Sequence, residues 1–258
     1  MDLGLQGKKA IVCASSRGLG LACAEALAAE GVHVVINGRD RANLENVAAT
    51  MAAKGWAVTP IAADVTTREG QEALAAACPE PDILVNNCAG PNPRDFMLNT
   101  EEDWRRALES NMVAPLMLVR RFLSGMQERR FGRIVNITSA MVTTPRPHMT
   151  LSAGARGGLT AALKGLSLAA APYNVTINNL LPERFDTQRQ VDMAHDMMKR
   201  HAVTYEEARA MQVRSIAARR LGDPREFGAT CAFVCSGLAG FMSGQNLHLD
   251  GGSYPALV

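Results

Sequence analysis

Residues 8–40 read KKAIVCASSRGLGLACAEALAAEGVHVVINGRD, and the reading of this stretch decides the fold. The β-branched run within Lys8–Ala14 predicts a strand, the Ala/Leu-rich Leu19–Glu30 a helix, and Val32–Ile36 a second strand. The turn between the first strand and the helix, Cys13–Gly20, reads C-A-S-S-R-G-L-G. Gly18 and Gly20 free the backbone to pass close to a pyrophosphate. The helix start then offers unpaired N–H groups and the positive end of its dipole. Alone, G-x-G is a common glycine turn; at the junction of a first strand and a first helix it points to a bound dinucleotide.

Outward from this unit the same alternation continues. Helices are expected at Arg41–Ala53 (capped by Asp40), Arg68–Cys78, Glu101–Arg129 and Ser152–Ala171. Strands are expected at Ala57–Ala62, Asp82–Asn86, Arg133–Thr138, Val175–Leu180 and Asn246–Asp250. Strands alternating with helices imply an α/β fold of the Rossmann type, a doubly wound parallel sheet with helices on both faces. A chain of 258 residues fits one such domain, and no repeat or linker divides it. One segment breaks the rhythm: Asp186–Leu221 is helical in pattern, Met-rich and basic, and follows a strand that should face the cofactor. It is expected to be a helical substrate lid, with a packed pair of surface helices as the alternative.

Composition narrows the classes further. The net charge of +2 argues against a nucleic-acid partner, which requires a concentrated basic face. No apolar run is long enough to span a membrane, and the N-terminus lacks the pattern of a signal peptide, so a cytoplasmic location is expected. The six cysteines lie mostly in apolar elements without C-x-x-C spacing, so no metal site is expected.

The adenosine end of the cofactor is read at Ile36-Asn37-Gly38-Arg39. An NAD site would place a carboxylate here for the ribose 2′-hydroxyl. Asp40 is nearby but suits a helix N-cap better. Arg17 and Arg39 bring two guanidinium forks to this end, which favours NADP(H) over NAD(H).

Over nearly its whole length the chain resembles the short-chain dehydrogenase/reductase family. The family's T-G-x-x-x-G-x-G turn appears as Cys13–Gly20, with Ala14 in place of its first Gly; Ser15, Ser16, Arg17, Gly18, Leu19 and Gly20 would line the phosphates. Asp64-Val65 resembles the adenine contact, and Asn86-Asn87-Cys88-Ala89-Gly90 the N-N-A-G strand end, implying cofactor contacts from Asp64, Val65, Asn87 and Ala89. Pro182–Thr187 resembles the loop at the nicotinamide end, with Glu183 in place of Gly, and Leu249-Asp250-Gly251-Gly252 the C-terminal signature. Asn111 and Ser139 match the family's catalytic Asn and Ser. The resemblance implies that Ser139 polarises a carbonyl oxygen and that Asn111 holds a water on the proton path.

The departure lies in GRIVNITSAMVTTPRPHMTLSAGAR, residues 132–156. The family's Tyr stands thirteen residues after the Ser, and its Lys four after the Tyr. Here those positions hold Ser152 and Arg156. A serine hydroxyl is a far weaker acid than a tyrosine, and losing a positioned acid costs ~10²–10⁴ in rate. Arg156 can bond ribose hydroxyls but stays ionised and shuttles no proton. His148 is a candidate substitute acid, with a solvent-exposed loop histidine as the alternative, and Tyr205 on the expected lid could fold back.

Two functional classes follow. One is an NADP(H)-dependent oxidoreductase acting on a small carbonyl or alcohol substrate with an altered Ser139/Ser152/Arg156/Asn111 site. The other is a dinucleotide-binding protein with little or no turnover and a regulatory or partner role. Within the family the resemblance is strongest to 3-oxoacyl-(acyl-carrier-protein) reductases, which suggests a carrier- or CoA-bound substrate; Arg129 and Arg130 stand where that group has a docking cation. The family's pairing of its two long helices implies a homodimer or homotetramer.

Overall fold

Seven parallel strands pair in the order β3-β2-β1-β4-β5-β6-β7 in a computed structural model that describes residues 1–257. The strands are β1 (Lys9–Val12), β2 (His33–Gly38), β3 (Val58–Ala62), β4 (Ile83–Asn86), β5 (Gly132–Ile137), β6 (Val175–Pro182) and β7 (Asn246–Leu249). Strand order reverses between β1 and β4, and ligands of doubly wound sheets bind at that crevice.

The strands alternate their side chains between two apolar layers, as a pleated strand must. Val12 and Ile36 face α1 (Gly18–Ala29), α2 (Arg41–Ala52) and α9 (Pro224–Cys235) through Leu27, Leu44, Phe227 and Cys231. Ile11 and Val35 face the other layer, built by α3 (Arg68–Ala77), α5 (Ala114–Glu128) and α6 (Thr150–Ala170) through Leu74, Leu118, Phe122 and Leu159. This is the single α/β domain that the sequence predicts. No helix among the described residues is long and apolar enough to cross a membrane.

The expected long helix Glu101–Arg129 is not continuous. It is α4 (Glu101–Leu108), a π-helical turn at Glu109–Val113, and then α5. Pro115 supplies the reason: without an N–H it cannot close an α-helical bond onto the carbonyl of Asn111, four residues back. The wider turn places Asn111, and such turns recur at functional sites. The excursion after β6 holds α7 (Gln188–His201) and α8 (Tyr205–Val213). Its base is closed by a bridge between Phe185 and Gly222, where Asp186 N–H donates to Gly222 O at 2.8 Å.

Amides, buried on β4 to β6 and exposed at the edge strand β7, tie the strands together on the side of the switch point away from β2 and β3. Asn86, Asn136, Asn179 and Asn246 stand in register on β4, β5, β6 and β7. Asn86 donates to Asn136 at 2.9 Å, Asn136 to Asn179 at 3.0 Å, and Asn179 to Asn246 at 2.8 Å. On the other side Asn37 does similar work. It accepts from the Ala14 N–H and donates to the carbonyls of Ile61 and Ala63, joining the β1 turn to β2 and β3.

Ala14 has φ +45°, in the left-handed region. A residue with a Cβ pays ~1–2 kcal/mol there, partly offset in comparisons with Gly by ~0.4–1 kcal/mol of unfolded-chain entropy. Ala14→Gly is therefore expected to stabilise the protein by about 0.5–1 kcal/mol, read as a higher urea midpoint at unchanged slope. A lower midpoint would show that the methyl packs favourably.

Candidate active site

The phosphate turn is built as an anion site. Arg17 occupies the N-cap of α1 with no side-chain cap, and the helix has no acidic residue in its first turn. Side-chain caps close α2, α3, α4, α8 and α9 but not α5, α6 or α7, so what sets the start of α1 apart is its glycine turn at the switch point. The first N–H groups of α1 are thus left for an external acceptor. Gly18 has φ +59°, and its open side faces the Thr187 methyl, 3.8 Å from where a Cβ would be. Gly20 packs against the turn itself: a Cβ would approach Ala14 O to 2.4 Å. Asn87 holds the turn from β4 by donating to Ala14 O at 3.1 Å.

Not every residue of this turn faces outward. Ser15, expected among the phosphate ligands, is fully buried. Its hydroxyl donates to Val12 O and accepts from the Asn37 N–H, so its side chain locks β1 to β2. Leu19 and Val65 pack into the core, which leaves only their backbones for a ligand. Ser16 is half-buried, and its hydroxyl lies 3.0 Å from where a Gly38 Cβ would stand. Position 38 therefore has no room for a carboxylate, and Asp40 caps α2 by accepting from the Asn43 N–H. Arg17 and Arg39 are exposed at this end, and Arg39 lies 3.8 Å from Asp64. The Thr66 N–H, with the Thr66 hydroxyl and Arg39 assisting, holds the Asp64 carboxyl below its usual range.

The strand ends of β4, β5 and β6 bring the reaction-centre candidates together. Ser139 caps a 3-10 turn at Ala140–Val142, its hydroxyl accepting from the Met141 N–H at 3.1 Å. Accepting through oxygen leaves the hydroxyl proton available for a substrate oxygen. Asn111 is buried, donating to Ser110 Oγ at 2.7 Å and reaching Ala89 O at 3.5 Å, while its Oδ1 has no partner. Ser152, 3% exposed, sits in the first turn of α6. It lines a narrow cleft with Pro91, Arg94, Asn99, His148 and Leu151. A second, open cleft of about 430 Å³ runs from Ala89 and Gly90 past Asn111 to Arg94, Asp103 and Arg106.

Arg156 is 7% exposed and is bound to backbone alone. It donates to Ile137 O and Thr138 O, both at 2.6 Å, and to Cys88 O at 3.2 Å; its Nε has no partner. Burial pulls its pKa down to about 10, Cys88 opposing the shift and Arg189 adding to it, so it remains charged at neutral pH. Burial also pushes the Cys88 thiol up, leaving it a poor nucleophile.

Several residues that sequence reasoning passed over complete the site. Glu183 is buried between Arg146 at 2.9 Å and Arg184 at 3.5 Å. Arg184 donates in turn to Gln212 O and to Ser215 Oγ, so the loop before α6 is linked to α8 and the chain just after it. Arg189, in the first turn of α7, donates to Gly90 O at 3.2 Å and Pro91 O at 3.1 Å. No local pattern marks these residues, because apart from the neighbouring Glu183–Arg184 pair each partner lies tens of residues away. Thr187 is the N-cap of α7 with its hydroxyl uninvolved in capping, and Pro182 ends β6 beside Leu249.

One sequence expectation is placed elsewhere. Tyr205 packs beside His195 (ring centroids 5.5 Å apart) and Arg209, within the α7–α8 pair. Arg129 donates to Pro81 O at 2.9 Å and Arg130 to Pro172 O at 3.3 Å, and both remain exposed. His148 is exposed at the mouth of the Ser152 cleft.

Residues 13–254 match the family model described as Enoyl-(Acyl carrier protein) reductase. The chain is 31% identical to the 3-oxoacyl-[acyl-carrier-protein] reductase FabG of Vibrio cholerae, over 98% of this chain and 99% of that protein. It is 30% identical to the NADPH-dependent reductase BacG of Bacillus subtilis, over 97% and 99%. Its structure superposes on L-sorbose reductase of Gluconobacter frateurii, solved with NADPH and L-sorbose, with a TM-score of 0.94 at 28% identity over the whole of both chains. With the reversed strand order, the uncapped glycine turn and the placement of Asn111 and Ser139, these similarities place the chain in the short-chain dehydrogenase/reductase family of oxidoreductases.

Proposed function

We propose that the protein is an NADP(H)-dependent oxidoreductase for a carbonyl or alcohol substrate, working without the family's Tyr and Lys. The uncapped, carboxylate-free start of α1 at the switch point is the observation that carries this reading. When bound, the nicotinamide cofactor supplies or accepts the hydride. Ser16, Arg17, Gly18, Leu19 and Gly20 receive its phosphates through side chain and backbone. Asp64, Val65, Asn87 and Ala89 border the adenosine and ribose, and Pro182 and Thr187 the far end. Ser139 donates its free hydroxyl proton in a hydrogen bond to the substrate oxygen. Ser152 and the water-accessible His148, which share one cleft, lie on the proton's route to that oxygen, and Asn111 lines the adjoining open cleft. Relatives that act on acyl-carrier-protein thioesters make a 3-oxoacyl thioester one substrate to try.

The preference for NADP(H) rests on Arg39 and Arg17 at an end of β2 where position 38 has no room for a carboxylate and Asp40 caps α2. Hydrogen bonds to a charged group contribute ~1.5–3 kcal/mol, so Arg39→Ala is expected to lower the NADPH:NADH affinity ratio by about 10- to 100-fold. Fluorescence titration measures it, and an unchanged ratio would contradict the assignment.

The commitment of Arg156 to three backbone carbonyls favours a second reading, a dinucleotide-binding protein of little turnover. Following NADPH binding and then NADPH consumption over ketones, quinones and oxoacyl thioesters separates the two. Binding without turnover of any substrate would sink the first.

A further inference from the structure

Gly90 lies between two guanidinium groups. A Cβ built on it would stand 3.1 Å from Arg156 Nη2 and 3.9 Å from Arg189 Nη1. All five hydrogen bonds of these two arginines go to backbone carbonyls, and neither has a carboxylate partner among the described residues. The nearby acid, Glu183, is already shared by Arg146 and Arg184. The buried arginine of β5 shows what a purely structural guanidinium looks like here. Arg133 bonds Ser236 O, Gly132 O and Asn174 through Nε, Nη1 and Nη2, and lies over the Phe131 ring. Arg156, by contrast, has an unpartnered Nε and a like charge opposite it.

Arg156 is buried and Arg189 exposed, so the buried charge of Arg156 is the one without a counter-ion, and a buried unpaired charge is costly unless an anion joins it. With no side chain, Gly90 leaves its face uncovered between the two guanidinium groups, at the edge of the open cleft that it lines. Planar guanidinium forks match a carboxylate through paired N–H···O bonds. Arg156 is anchored through Nη1 on the carbonyl of Thr138, the residue before Ser139, which ties its guanidinium to the strand end that presents the Ser139 hydroxyl.

We propose that Arg156, Gly90 and Arg189 form a carboxylate subsite, and that the substrate is a small oxo acid whose carboxylate adjoins its carbonyl, such as a 2-oxo acid or the matching 2-hydroxy acid. This rests on the oxidoreductase reading for the carbonyl but not for the anion. In the reaction the guanidinium charge also stabilises the oxygen on which negative charge develops, and so offsets part of the missing acid.

Calorimetric titration with oxamate, an unreactive 2-oxo-acid mimic, and with its neutral methyl ester tests the proposal on free and NADPH-loaded protein. Charge-assisted bonds predict that oxamate binds at least ~10-fold more tightly than the ester. Arg189→Gln should bring the ratio to within about threefold of unity. Gly90→Ala should also collapse the ratio, because its methyl covers that face; Gly90 is not a positive-φ glycine, so Ala fits its backbone. Equal affinity of the two ligands for the wild-type protein, no oxamate binding at ~10 mM, or a ratio that survives both substitutions would overturn the subsite. The wild-type ratio decides even if a variant misfolds. Failure of NADPH to bind would sink the oxidoreductase reading alone, since the free protein still reports on the anion.

Discussion

The double variant Ser152→Tyr/Arg156→Lys is expected to reduce simple ketones with NADPH about 10²–10⁴ times faster than the parent chain, the factor that a positioned general acid supplies. Positions 152 and 156 are four apart on α6, so they lie one above the other on one face, with position 152 lining the narrow cleft. A tyrosine there presents an acid whose ordinary pKa of ~10 lies within reach of tuning, whereas a serine hydroxyl does not. The lysine supplies a compact cation beneath it in place of a guanidinium fixed on three carbonyls. Ser152→Tyr alone should recover less, because Arg156 stays bound to the strand ends. The measurement is kcat/KM over a series of neutral ketones. Absence of any gain would mean that the pocket is shaped for other chemistry, whatever acid it is given.

The second large effect concerns stability. Arg156→Met should destabilise the protein by about 3 kcal/mol, since three carbonyls lose a charged donor at ~1 kcal/mol or more each. At the usual scaling for a chain of this size that lowers Tm on the order of 10 °C. Two effects oppose the loss: the buried charge no longer has to be desolvated, and its repulsion from Arg189 disappears. The carbonyls decide the sign, because no side-chain substitution removes them, whereas a buried ion pair can be replaced on both sides. Arg156→Lys, keeping a donor, should lose less. A rise in Tm for the methionine variant would show that desolvation outweighs the bonds.

The sheet, its helices and the phosphate turn were legible because they rest on local signals: β-branched runs, Ala-rich helical stretches and glycines at a strand-to-helix junction. The N-cap role of Asp40 was legible for the same reason. Features set by distant partners were not. Ser15 looks like a phosphate ligand until Asn37, from the next strand, takes its hydroxyl. The π turn at Asn111 depends on Pro115, whose effect on the helix ladder is visible in the sequence only if the missing N–H is followed back four residues. Glu183 reads as a lost glycine, yet it is an acid held by two arginines from different segments. Arg189 carries no motif at all, and its meaning comes from meeting Gly90 and Arg156 across the cleft.

The row of asparagines across β4 to β7 has a kinetic consequence. Each amide contact needs its neighbour at one register position, so a slip of one strand by a single residue breaks contacts with strands on both sides and turns its side chains to the opposite face. Partial opening of any one of these strands therefore disrupts amide partners on the next. In native-state hydrogen exchange, the backbone amides of β4, β5 and β6 should exchange together as one cooperative block. The strand ends that present Ser139, Arg156's carbonyl partners and the end of β6 would then keep their spacing during the local breathing of the loops above them.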